Sequence, residues 1–245
     1  MSALVLTNAQ VLYGANDISS FTGGLSASAK VALIDITTMT SGGFHVFAPG
    51  IKTFTTNVNG FSDMATTGIT SQILPTAPGT RYGIGINPTG GVNPGDVSFL
   101  TRGYLADNAA FGGNIGAASK FNMTTVSDTA MVGGFVGAPL LSRGALTGTS
   151  VTMAGPTATQ SLFAALWVTG AVGTNLAVLV QSAAASNFAS PTTRLTFSTV
   201  SATGWQWLQY NGAVSGAVTD GFWRILATVG TSTFTYAASF AVANN

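Results

Sequence analysis

Charged side chains are rare in this chain, and their scarcity constrains its fold and surroundings more than any other feature. Eight Lys and Arg and seven Asp make up 6% of the 245 residues, and Glu is absent. Charged residues form about a quarter of an ordinary globular protein. An isolated soluble domain keeps a charged surface for solubility. We therefore expect neighbouring subunits to cover much of this surface, as in a large homopolymer.

The small net charge and the lack of cysteine exclude several classes of function. A formal net charge of +1 provides no basic field to hold nucleic acid by counterion release, which excludes an ordinary DNA-binding domain. The absence of Cys excludes disulfide frameworks, thiolate chemistry and Cys-ligated zinc. No basic region precedes the first apolar stretch, so we expect no signal peptide there.

The residue pattern predicts an all-β fold. Strong helix formers are scarce, and short apolar runs alternate with small polar residues before ending at Gly, Pro, Asn or Asp. Phe234, Tyr236, Ala238, Phe240 and Val242 fall on one face, and only small residues fall on the other, which predicts a strand with one core face that carries the large residues. The run Phe222 to Val229 is bulky on both faces, and we expect it to be a central strand.

The uncharged stretch from Leu162 to Val180 is about as long as a bilayer span. Its middle contains Gly173, Thr174 and Asn175, which are turn residues. Turn chemistry at the centre of a lone span is hard to accommodate in lipid. The sequence therefore favours a β-hairpin of Leu162–Val168 and Leu176–Val180 over a membrane span.

The chain is predicted to contain two domains, residues 1–143 and 144–245. Most charged residues lie in the first part, and all four Trp lie in the second. The small-residue segment Arg143–Ser150 between them has the composition of a linker. The second part is of ordinary size for a β-sandwich.

No motif for catalysis, metal binding or a cofactor stands out. His45 is the sole imidazole, and no nucleophile-elbow or other partner motif accompanies it, so we interpret it as a strand or loop residue. The seven Asp show no pairing for glycosidic chemistry and no calcium-loop spacing. The stretch Arg81–Pro88 lacks the third Gly and the following helix of a phosphate-binding loop. We predict no enzyme activity, cofactor or metal.

Trp205 and Trp207 lie two residues apart, so in a strand both indoles project to the same face. Such a pair suits either a sugar-stacking platform or a packed core, and core packing is the favoured interpretation.

Several short motifs occur in a fixed order along the chain. An apolar strand is followed by a Gly-x-x-Asp-Ile-Ser turn, and then by a Thr-rich strand and an aromatic-x-Pro-Gly-Ile step. The segments are Asn8–Ser19, Asp35–Thr40, Phe47–Lys52, Val58–Phe61, Leu176–Ser182, Asp220–Ile225 and the closing stretch Ser232–Val242. Taken together, they resemble the major tail proteins, or tail tube proteins, of long, flexible-tailed bacteriophages. The last three segments look like the C-terminal Ig-like appendage of that family.

The resemblance implies a structural virion protein, made in the host cytoplasm. The first domain would be a β-sandwich or half-barrel that joins its neighbours edge to edge into rings, as homohexamers. Stacked rings would form the channel for genome ejection. Phage DNA would pass without sequence-specific binding, and other tail and connector proteins would be partners. The resemblance also implies an inter-ring loop, whose candidate residues are Thr38, Thr40, Gly42, Gly43, Phe44, His45, Phe47, Pro49, Gly50 and Lys52.

Acidic groups commonly face the lumen in this family. This chain has no Glu and few Asp, so its lumen would be lined by Ser, Thr and Asn, or by the Asp of residues 1–140. Two other functions stay open: a capsid decoration or fibre protein, and a carbohydrate-binding module that uses Trp205 and Trp207.

Overall fold

The computed structural model describes residues 8–37, 45–62, 78–112, 114–115, 117–171 and 173–244. These residues form sixteen strands, and their only helical elements are a 3-10 turn at Ser19–Phe21 and the short helix α1 (Gly212–Ser215). The predicted all-β class is confirmed. The strands are β1 (Gln10–Tyr13), β2 (Asn16–Asp17), β3 (Thr22–Asp35), β4 (Phe47–Phe61), β5 (Arg81–Asn87), β6 (Val97–Gly112), β7 (Lys120–Ser127), β8 (Val132–Arg143), β9 (Leu146–Thr147), β10 (Val151–Thr152), β11 (Gln160–Ala171), β12 (Ala177–Ala183), β13 (Thr192–Thr196), β14 (Gly204–Asn211), β15 (Phe222–Thr228) and β16 (Phe234–Asn244).

The chain divides into two compact units that do not follow the predicted boundary at residue 143. The smaller unit contains Phe21–Arg81 and Gly103–Ala130, and the larger unit contains the rest of the chain. Strand β8 precedes the predicted boundary and pairs with β16, which follows it. The division into 1–143 and 144–245 is therefore corrected, because strands from both parts share one sheet.

The larger unit is built on two antiparallel sheets. In one, β11 lies between β14 and β16, and β8 pairs with the other edge of β16. In the other, β15 lies beside β12, and β13 forms the far edge. Side chains from both sheets form one buried cluster. Trp223 of β15 packs on Phe240 of β16 with ring centroids 6.3 Å apart, which is the arrangement of a β-sandwich.

The predicted alternation of the last strand is confirmed. Phe234, Tyr236 and Phe240 of β16 are fully buried in the sandwich core. Ala237, Ser239 and Ala241 are buried on the other face of the sheet, where Ala237 and Ala241 belong to a second cluster. Strand β16 is thus covered on both faces, and its small residues allow close packing on the second one.

The predicted central strand is confirmed. Strand β15 is central because β12 pairs with one edge and the short strands β9 and β10 pair with the other.

The predicted hairpin of Leu162–Val168 and Leu176–Val180 is wrong. The stretch from Leu162 to Val180 does form two strands, β11 and β12, but they belong to different sheets. Both edges of β11 are already paired with β14 and β16, so the turn leads across the sandwich. Within the described ranges, no helix is long and apolar enough to cross a membrane.

The second cluster of the larger unit is centred on Trp167 of β11. Leu12, Leu100 and Phe163 are among the buried residues of this cluster. The Trp167 indole N–H donates to the Gly83 carbonyl at 3.1 Å. Because the indole is fully buried, this bond satisfies a polar group that would otherwise be costly.

The smaller unit is a four-stranded antiparallel sheet in the order β3, β4, β7 and the later part of β6. Burial alternates along its strands: Val58, Phe121 and Met123 are buried on one face. Polar side chains lie on the other, where the Thr124 hydroxyl donates to Asn57 Oδ1 at 2.8 Å. This alternation is typical of a sheet with one covered face and one open face.

Candidate functional site

A two-stranded extension of β3 and β4 is the main surface feature of the smaller unit. Strand β7 pairs with β4 only over Thr55–Phe61. Beyond that point β3 and β4 continue together, and Ala29 pairs with Phe54 and Asp35 with Phe47. We call this part, Ala29–Asp35 with Phe47–Phe54, the ribbon. No other described strand pairs with it.

The ribbon overlaps the predicted inter-ring loop and corrects part of it. Phe47, Gly50 and Lys52 lie in strand β4 rather than in a loop. The backbone of Pro49 also belongs to β4, where it pairs with Leu33. His45 lies two residues before the strand. Five of the predicted loop residues lie outside the described residues: Thr38, Thr40, Gly42, Gly43 and Phe44.

Pro49 explains why this stretch resembled a loop in the sequence. Proline has no N–H to donate to a sheet, so within strands it is confined to edges and bulges. In the ribbon, β3 is the sole partner of β4 among the described strands. One edge of β4 is therefore open there, and the register shifts between Val31 and Leu33, next to Pro49 and Gly50. A proline is compatible with such a strand.

Both faces of the ribbon expose apolar side chains. Leu33 and Phe47 lie on one face and are 66% and 52% exposed. Ile34 is 54% exposed, and it lies on the other face because side chains alternate along a strand. Ile36 and Val46 extend this second face just beyond the strands, where the Ile36 N–H donates to the Val46 carbonyl at 2.9 Å.

Such a ribbon is costly to leave in water. Burying one large aliphatic or aromatic side chain gains about 1.5–3 kcal/mol, and an isolated two-stranded hairpin is marginally stable at best. The ribbon also presents two long strand edges, which are templates for pairing with another chain. Its side chains and its backbone thus both favour a covering partner.

The outer end of the ribbon is closed by a small polar network. Asp35 Oδ1 accepts hydrogen bonds from the Thr37 N–H, at 2.9 Å, and from the Thr37 hydroxyl. Asp35 Oδ2 lies 3.0 Å from His45 Nδ1. The Val46 N–H donates to Thr37 Oγ1 at 2.9 Å. The two Thr37 hydrogen bonds, followed by the His45 contact, hold the pKa of Asp35 below its usual value.

His45 therefore has a carboxylate partner, which its surroundings in the sequence did not reveal. Its ring also stacks near Phe47, with centroids 6.0 Å apart. The spacing of Asp35 and Thr37 is a signal for a local side-chain turn, but the pairing with His45 depends on the hairpin register. In the part of the chain that the structure describes, no group of three or more His, Cys, Asp or Glu could hold a metal ion.

Trp205 and Trp207 lie on β14 in the larger unit, and both are half-buried against the second cluster. The Trp205 ring covers Gly83, where a methyl group would lie 2.7 Å from the ring. Trp207 packs near Phe163, with ring centroids 5.9 Å apart, and the Arg102 guanidinium lies 5.8 Å from its ring centre. Packing accounts for the position of both indoles.

Comparison with known proteins gives remote likenesses. No family model matches the chain, and no curated protein matches it. Among solved structures, a chain from the virion of a native gene transfer agent particle is 12% identical with a TM-score of 0.36, covering 49% of this chain and 92% of that one. A chain from the tail of an empty gene transfer agent particle, refined with C6 symmetry, is 13% identical with the same score and coverage.

A third structure is the SPP1 Dit (gp 19.1) protein, described as a hub adsorption apparatus in phages infecting Gram-positive hosts. It is 10% identical with a TM-score of 0.35, covering 96% of this chain and 99% of that chain. TM-scores this low do not establish a shared fold.

Proposed function

We propose that this protein is a structural subunit of a bacteriophage tail that assembles into stacked rings around the channel for the genome. The observation that carries the proposal is the ribbon, which exposes apolar side chains on both faces and whose outer edges no other described strand pairs with. A subunit that remained alone would leave this surface in water. The choice of stacked rings as the form of assembly comes from the ordered sequence resemblance to major tail proteins. No enzymatic activity is part of the proposal.

The open edge of β3 provides a route to ring formation. From Leu25 to Asp35, β3 pairs with β4 on one side and with no described strand on the other. A strand from the next copy can satisfy these backbone groups by adding to the sheet. An interface between two different surfaces closes into a ring when the rotation allows it, and stacking then produces a tube. Six copies per ring are implied by the sequence resemblance.

The scarcity of charged residues suits both the contacts between subunits and the wall of the channel in such a tube. Subunit contacts cover uncharged surface at little desolvation cost. A net charge of +1 also gives DNA no strong electrostatic attachment as it passes through the channel. Location in the virion, contact with other tail and connector proteins, and passage of DNA without sequence-specific binding all belong to this proposal.

Negative-stain microscopy of the purified protein over a range of concentration and salt tests the proposal. We expect rings or tubes with a channel wide enough for duplex DNA. Particles that stay monomeric under every condition would contradict it. Addition to capsids without polymerisation would favour the decoration protein instead.

A paired set of variants shows whether the ribbon drives assembly. Ile34→Thr with Phe47→Thr places a β-branched residue, which suits a strand, at both positions and removes apolar surface from both faces of the ribbon. Val92→Thr with Val214→Thr is the matched control, because both valines are well exposed and lie outside the ribbon. We expect the first double variant to remain folded without forming tubes and the control to assemble normally.

A further inference from the structure

The smaller unit carries an open cavity at the opposite end of β4 from the ribbon end. The cavity has a volume of about 500 Å³. Its wall combines aromatic, small and polar residues, among them Phe61, Gly112, Lys120 and Asn122. We call it the β4-end pocket.

Shape and surface chemistry make the pocket suitable for apolar side chains. Phe61 is 53% exposed at its wall. Small residues open the space beside it, and a Cβ atom at Gly112 would meet no heavy atom within 4 Å. Two or three aliphatic side chains fit in a cavity of this size. We call the outer end of the ribbon, together with Ile36 and Val46 just beyond it, the ribbon end; it offers such side chains in Ile34, Ile36 and Phe47.

We propose that the β4-end pocket receives the ribbon end of a second copy of this chain. This inference rests on the proposed function, since it names the surface on the next copy that the ribbon contacts. The ribbon end and the pocket lie about 45 Å apart along β4 at a rise of about 3.3 Å per residue. One chain cannot bring its own ribbon end into its own pocket, so the contact is between copies.

The charges at the two surfaces are complementary. Asp35 lies at the ribbon end with its side chain 47% exposed. Lys120 is the charged residue in the wall of the pocket. The other charged residues of the ribbon, Lys30 and Lys52, lie farther from its end. An exposed ion pair adds little affinity, so the apolar side chains supply most of the binding and the charges select which ends meet.

The geometry of this contact would give the assembly a direction. A protruding apolar segment and a pocket elsewhere on the same molecule make a head-to-tail contact. Each copy then offers one ribbon and one pocket, so the contact repeats without closing on a pair. Rings joined through the β3 edge would be linked along the tube axis by such contacts.

Cysteine cross-linking tests the contact directly, because the chain contains no native cysteine. The double variant Ile36→Cys with Asn122→Cys places one thiol at the ribbon end and one at the pocket. A short bis-maleimide should convert it into a ladder of covalent multimers at assembling concentrations. The control Ile36→Cys with Val214→Cys has an equally accessible second thiol, since Val214 is 84% exposed, and should give no ladder.

Microscopy of the same samples separates the two proposals. Tubes without the ladder would overturn the pocket contact and leave the proposed function standing. Absence of both tubes and ladder would overturn both. A ladder that also forms with the Val214 control would show indiscriminate collision and would overturn the contact as well.

Filling the pocket provides a second, independent test. Gly112→Phe places a ring in the open cavity, and Gly221→Phe is the matched control, because a Cβ atom there also meets nothing within 4 Å and Gly221 lies outside the pocket. We expect Gly112→Phe to raise the protein concentration needed for stacking at least tenfold and Gly221→Phe to leave it unchanged. Equal assembly of the two variants would contradict the inference.

Discussion

At the scale of single residues, glycines beneath tryptophan rings explain part of the unusual composition. Gly83 lies under Trp205 and Gly85 under Trp167, and a methyl group at either glycine would lie 2.7 Å from the indole above it. A side chain at these positions would push the ring out of its place in a close-packed core. Their role is close approach, since neither has a positive φ angle.

Gly85→Ala should destabilise the protein because the new methyl group displaces the Trp167 ring. Inserting one methyl group into a packed core costs about 1–3 kcal/mol. Gly221→Ala is the matched control, since its methyl group would meet no heavy atom within 4 Å. Urea unfolding should show the loss only for Gly85→Ala, and equal stability of the two variants would contradict the assigned packing.

A carboxylate in the larger unit gives a residue-scale prediction about pH. The Ser182 hydroxyl donates to Asp220 Oδ2 at 2.6 Å, and Arg194 contacts the same oxygen at 2.9 Å. The Ser182 bond first, and Arg194 after it, lower the pKa of Asp220 from its usual 3.8 against the opposing effect of burial. Folding therefore favours the ionised carboxyl, and this stabilisation is present above pH 3.8 and is lost as the pH falls through the lower folded pKa.

Ser182→Ala should raise the pKa of Asp220 towards 3.8, as measured by NMR titration of the carboxyl carbon. The loss of stability in this variant should be greatest well above pH 4 and should diminish in more acidic solution. An unchanged Asp220 titration would show that Ser182 does not stabilise the carboxylate.

At the scale of secondary-structure elements, the sequence predicts strands better than it predicts their partners. The alternation of core-facing and small residues predicted β16, and bulky residues on both faces predicted β15, because both signals are local. The partners of β11 could not be read from the Gly173–Asn175 turn, since β14 and β16 pair with it from distant parts of the chain. The Asp35–His45 contact was missed for the same reason, because it depends on the register in which β3 pairs with β4.

Hydrogen exchange should distinguish β11 from the ribbon. Amides of Leu162–Val168 should exchange slowly, because both edges of β11 are paired in the interior of the sheet. Amides on the open edge of Ala29–Asp35 should exchange rapidly in the monomer and become protected in assembled tubes. Ribbon protection that is the same in monomer and tube would contradict a role for this edge in assembly.

At the scale of the whole molecule, the small-residue segment after Arg143 misled the domain prediction. Composition suggested a tolerant linker, yet Leu146–Thr147 and Val151–Thr152 both pair with β15. Gly148 lies between them, and a methyl group there would lie 2.6 Å from the Ile225 carbonyl oxygen. Its small size serves close contact between backbones. Local composition cannot distinguish this use of glycine from flexibility, because the contact is made by a strand about 75 residues further along the chain.

Two deletions test the corrected division of the chain. Ending the chain at Gly144 removes β16, which pairs with β8, and β11, which pairs with β16. The retained strand β8 would then expose Ala138 and its neighbours from the core. We expect this truncated chain to lose cooperative unfolding and to aggregate, whereas a boundary at residue 143 would leave it folded and able to form tubes.

Deleting residues 40–48 should have the opposite effect. The deletion removes Phe47 and Ala48 from the exposed end of β4, and neither residue belongs to a buried core cluster. The variant should therefore keep the circular dichroism spectrum and cooperative melting of the full chain but fail to stack, because the ribbon end is lost. If the chain ending at Gly144 still forms tubes while the 40–48 deletion unfolds, the pairing of β8 with β16 contributes little to the fold, and the ribbon is part of the core instead of the assembly surface.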